Sequence, residues 1–140
     1  MLKRRFHGER RLILGSDPAV TAGYSEYYAS YYSDHEKLKL DGEPSVFIIR
    51  PLTRRQADVC SSFGGRAAEV HTLRCGLWGV ENLPIVDADG NEQPCPPPKR
   101  EQIGDLGSVI TEGWLDQVQP GPFVADIAAA IWRITEPDPT

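Results

Sequence analysis

Residues 45–56 read SVFIIRPLTRRQ, and this stretch decides the fold class. Valine, phenylalanine and two isoleucines in succession suit a pleated, half-buried strand, and Gly42 and Pro44 before them and Pro51 after them mark its ends. Thr53 then opens a helix. With Gln56 three residues on, it makes a capping box: the threonine oxygen accepts the Gln56 amide while the glutamine side chain reaches back to the Thr53 amide. A strand passing directly into a helix, in a chain of 140 residues, predicts one mixed domain.

Working outward, RRLILG at 10–15 and LKL at 38–40 supply two more strands, which with 45–50 build a small antiparallel sheet. The helix begun at Thr53 runs over 53–63 and stops at Gly64-Gly65, where a helix is expensive to hold. A second helix is predicted over 66–79, with Val70, Leu73, Leu77 and Trp78 on one face, and a third over 111–118 around Trp114 and Leu115. The fourth covers 122–134, with Pro122 in its first turn and Phe123, Ile127, Ala130, Ile131 and Ile134 at helical spacing. Between them, 84–104 reads as a projecting loop: Asp87-Ala88-Asp89-Gly90-Asn91 is turn chemistry, and the prolines at 94 and 96–98 force extended backbone. The expectation is an α+β fold with a small antiparallel sheet, three to four helices and long loops. Residues 1–15 form a basic arm and 16–140 the domain.

Charge is divided along the chain. Lys3, Arg4, Arg5, Arg10 and Arg11 stand against Glu9 in residues 1–11, giving +4, which leaves −9 for residues 12–140 out of a total of −5. An acidic body disfavours base-specific recognition of nucleic acid, so any such contact is confined to the basic arm. That arm suits an acidic neighbour, either nucleic acid or the acidic face of an adjacent subunit.

Tyr24, Tyr27, Tyr28, Tyr31 and Tyr32 follow, spaced so that all five fall on one helical stripe; an extended tyrosine-rich segment is the alternative. Tyrosine buries a large ring and keeps a hydrogen-bonding tip, which favours protein–protein contacts. Pro96, Pro97 and Pro98 add a stiff, extended element suited to a partner's groove. The arm, the tyrosines and the prolines are the predicted contact residues.

Catalysis has little to rest on. His7, His35 and His71 and the serines lie in no nucleophile motif, and GxSxG, HExxH, GxxxxGK[ST] and GxGxxG do not occur. His71 and Cys75, one helical turn apart, suit a metal only if Cys60 and Cys95 join them, and the spacing is wrong for a compact zinc site. DADGN resembles the start of a calcium loop, but Pro96 occupies the position of the closing glutamate. No cofactor or metal is therefore expected. The three cysteines contain no CxxC pair, which favours reduced thiols over a disulfide framework. No run approaches the ~18–20 apolar residues that span a bilayer, and the basic start lacks a signal's apolar core.

Taken in order, SDPAV at 16–20, the tyrosine segment, IRPLTRRQ at 49–56, RCGLWGVENLP at 74–84 and FVADIAAAIWRI at 123–134 carry a resemblance. The chain resembles small accessory and structural proteins of tailed bacteriophages, both tail assembly chaperone-like products and virion-associated proteins, chiefly over residues 45–135. The resemblance implies a non-enzymatic protein in the virion or host cytoplasm that binds capsid, connector or tail subunits and copies of itself. It carries no catalytic residue over. A transient tail assembly chaperone and a host-directed inhibitor are the alternatives.

Overall fold

A computed structural model describes residues 8–22, 29–31 and 39–135. It is α+β, as expected. Strand β1, Arg10–Leu14, lies inside a four-stranded antiparallel sheet between β3, Ala29–Tyr31, and β5, Val46–Ile49; β6, Leu77–Glu81, completes the order β3-β1-β5-β6. Leu12 faces Tyr31 on one side and Phe47 on the other, and Phe47 in turn faces Val80. Side chains alternate across a strand, so Leu12, Leu14, Phe47 and Ile49 enter the main core while Ile13 and Val46 form a small cluster of their own.

Four α-helices lie among the described residues. Helix α1, Arg54–Ser61, begins with the predicted capping box: Gln56 N donates to Thr53 Oγ1 at 3.2 Å and Thr53 N to Gln56 Oε1 at 3.0 Å. Helix α2, Gly65–Gly76, and helix α4, Gly121–Ile134, cover the main face of the sheet, with α3, Glu112–Val118, leading into α4. The contact between α2 and α4 is close at one point. A Cβ on Gly76 would lie 2.7 Å from two carbons of Ile131, so only glycine lets the helices approach this far.

The second helix was expected to continue to 79, but it ends at Gly76 and residues 77–81 pair with β5 instead. Trp78 therefore belongs to a strand. The free side of β5 offers a full ladder of backbone partners, and Gly79 lets the Ile48 side chain lie close over the new strand, since a Cβ there would stand 2.9 Å from Ile48 Cδ1. The strand expected at 38–40 is also reassigned. Lys39–Leu40, β4, pairs with β2, Val20–Ala22, in a separate ribbon whose Val20 and Leu40 cover Ile13 and Val46.

The segment 84–104 is structured where a projecting loop was expected. Pro84–Val86, β7, pairs with Glu92–Pro94, β8, and the Asp87–Asn91 turn is the tip of that hairpin. Asp87 Oδ1 accepts the Asp89 and Asn91 amides, each at 2.9 Å, and Gly90 takes a φ of 82°. Arg100–Ile103, β9, pairs with Gly107–Ile110, β10, around a 3-10 turn at Gly104–Leu106. No described helix is long and apolar enough to cross a membrane.

Candidate functional site

Helix α1 carries Cys60 inward near its C-terminus, and α2 carries Cys75 inward near its own. The two sulfurs meet at 4.0 Å, with Cys60 fully buried and Cys75 nearly so. Thr72 closes one side of the pair; its hydroxyl donates to Ala68 O at 2.8 Å and accepts from Trp132 Nε1 at 3.0 Å. The thiols titrate as a unit. A hydrogen bond from Cys75 to the Cys60 thiolate lowers Cys60 to about 7 against the opposing effect of burial. Cys75 is pushed far up by that same bond and by burial, so the pair releases one proton readily and holds the second.

Cys75 also forms part of the wall of a cavity of about 210 Å³ between α1, α2 and the β9–β10 hairpin. Val59, Leu106 and Val109 line it, and Phe63 and Ile103, both partly exposed, stand at its mouth. His71 stacks on Phe63 with ring centroids 4.1 Å apart. Burial lowers the His71 pKa, and Arg74 lowers it further while Glu112 acts the other way. Arg74 is itself buried and donates from Nε to Ile110 O at 2.8 Å.

Behind this cavity, Arg100 organises the end of α2. Its guanidinium donates to the carbonyls of Arg74 at 3.2 Å, Cys75 at 3.0 Å, Leu77 at 2.5 Å and Ser108 at 2.8 Å. The last carbonyls of a helix have no partner within it, and here one cation meets two of them. Burial lowers Arg100 to about 10, which leaves it charged at neutral pH. Arg100 and Arg50 both lie over the Trp78 ring, at 3.7 and 4.1 Å from its centroid.

The predicted contact residues are placed unequally. Lys3, Arg4, Arg5, Tyr24, Tyr27, Tyr28 and Tyr32 lie outside the described residues. Tyr31 is in β3, so the helical stripe does not extend to it and the extended alternative holds at that position. Arg10 and Arg11 belong to β1, inside the sheet, and Arg11 pairs with Glu81 of β6. An arm drawn to residue 15 therefore overlaps the core, because Leu12, Ile13 and Leu14 are among its most buried side chains. The proline run is tied down: Trp114 Nε1 donates to Pro96 O at 3.0 Å and Cys95 N to Leu83 O at 2.8 Å, and of Pro96–Pro98 Pro97 alone is exposed.

Sequence reasoning weighed Cys60, Cys75, His71 and Cys95 together as metal ligands. The fold joins the first two only, and Cys95 instead donates its thiol to Pro96 O at 3.3 Å. Arg100 was missed, since an arginine after three prolines reads as an exposed loop residue. The chain matches no family model, no curated protein and no solved structure.

Proposed function

We propose that the protein is a non-enzymatic structural or assembly protein of a tailed bacteriophage, virion-associated, that binds neighbouring subunits including copies of itself. The observation that supports this best is the position of β3. Ala29–Tyr31, within the tyrosine-bearing stretch of sequence, is the outer strand of the sheet, paired among the described residues only with β1. An outer strand presents a row of backbone donors and acceptors that a strand from another subunit can complete. Five tyrosines within nine residues around it provide the ring area and polar tips that such contacts use.

The charge division supports a copy of the same chain as one neighbour. Residues 1–8, at +3 from Lys3, Arg4 and Arg5, and a remainder of −8 are complementary between copies, and a head-to-tail contact of that kind builds rings and filaments. Each contact is small, and repetition in a symmetric particle adds them. Mass spectrometry of purified particles tests the reading, with this chain expected at a defined copy number. Light scattering on the isolated protein tests the self-contact: oligomers at low salt should dissociate as the screening length falls to about 10 Å near 0.1 M. A protein absent from the particles and monomeric at every salt concentration sinks the proposal.

A further inference from the structure

We infer that Cys60 and Cys75 are a reversible disulfide pair, closed by a small peroxide that reaches Cys75 through the cavity between α1, α2 and the β9–β10 hairpin. A buried cysteine is ordinarily a small apolar side chain, but these two depart from that pattern in three ways. They come from different helices and meet at 4.0 Å with no side chain between them. The bond from one sulfur to the other stabilises a thiolate in a site that would otherwise resist one. Cys75 lines a cavity of about 210 Å³ that opens between Phe63 and Ile103, so the pair is buried without being sealed.

Access sets the order of events. Cys75 faces the cavity and Cys60 lies behind it, fully buried. The resting pair keeps its remaining proton on Cys75, hydrogen-bonded to the Cys60 thiolate; transfer of that proton across the 4.0 Å contact to Cys60 leaves the thiolate on Cys75, which attacks hydrogen peroxide. The O–O bond breaks, Cys75 becomes a sulfenic acid, and the hydroxide that leaves takes up the proton the pair had released, giving water. Cys60 then attacks the Cys75 sulfur; the S–O bond breaks, and the departing oxygen takes the Cys60 proton as a second water. In balance, two thiols and one peroxide give one disulfide and two waters. The sulfurs must swing from 4.0 Å to the bonding distance of about 2.05 Å, which draws Cys75 away from the cavity and ties α1 to α2. A dithiol reductant reverses the bond by exchange.

Cys95 serves as an internal reference. It sits apart on the proline run, bonded to Pro96 O, and burial raises its pKa. The native full-length protein, treated with hydrogen peroxide and then denatured in an alkylating reagent, should fall from three alkylatable thiols to one, on Cys95. Its intact mass should drop by two hydrogens, peptide mapping should recover Cys60 joined to Cys75, and dithiothreitol should restore all three thiols. Cys95→Ser should form the bond unchanged. Cys60→Ala should stop at a Cys75 sulfenic acid that a cyclic diketone traps; because that variant is not guaranteed to fold, the wild-type mapping alone decides the matter. Three free thiols after peroxide, a bond that includes Cys95, or a Cys60–Cys75 bond that forms only once denaturant is present would each overturn the inference.

Discussion

The two faces of the central sheet are built on different scales. One face meets α2 and α4 and joins Leu12, Leu14, Phe47 and Ile49 to Leu73, Ile127 and Ile131 in one continuous core. Among the described residues, the opposite face holds only Ile13 and Val46 as buried side chains, covered by half-buried Val20 and Leu40 from the short β2–β4 ribbon. Apolar burial stabilises in rough proportion to the area removed from water, so the helical face holds the fold together. Among the described residues the ribbon face contributes the smaller share of that burial. A face with a small core of its own has more to gain from being covered.

Truncating one isoleucine on each face tests that difference. Ile131→Ala, fully buried and pressed against Gly76, should cost about 4 kcal/mol, because the helices around the cavity are already in close contact and relax little. Ile13→Ala should cost about 2 kcal/mol, since the ribbon above it is short and can settle. Urea unfolding at constant slope measures both, and equal losses would erase the distinction between the faces. Arg100→Met keeps the length of the side chain and removes the cation from four carbonyls; a loss of about 3 kcal/mol is expected. Arg100→Lys should recover only part of it, because an ammonium cannot reproduce the planar fork. Thr53→Ala should cost about 1 kcal/mol by removing one half of the capping box, read as a shift in thermal midpoint.

Local rules carried the reading furthest where a single segment decides its own structure. The α1 cap, the turn at Asp87–Asn91 and the apolar stripe of α4 were all legible, because each depends on neighbours within one or two turns. Leu77–Glu81 was not. Its apolar spacing fits a helix as well as a strand, and the choice is made by the open side of β5, which is distant in sequence. The β2 strand, the β7–β8 ribbon and the β9–β10 hairpin were missed for a related reason, since three- and four-residue strands leave no periodic pattern to detect; the strand at Lys39–Leu40 was read, but its partner was not. The thiol pair shows the same limit. Each cysteine fell on a predicted helix, but their meeting depends on how α1 packs on α2, which no spacing rule contains.

The smallest expected effect concerns the outer edge of the helical face, where His71 stacks on Phe63. Burial and the Arg74 charge together hold the folded-state pKa of His71 below its usual 6.5, with Glu112 opposing them. The unfolded chain therefore takes up this proton first as pH falls. The corresponding stability is fully present above about 6.5, declines below it, and is gone once the folded imidazole is itself protonated. An NMR titration should place the His71 midpoint below 6.5, and Glu112→Gln should move it lower still by removing the one raising influence. Phe63→Ala should move it back up, because water then reaches the ring. A wild-type midpoint at or above 6.5 would mean that this wall is already wet, and that the dry core of the helical face ends closer to the sheet than the cavity lining implies.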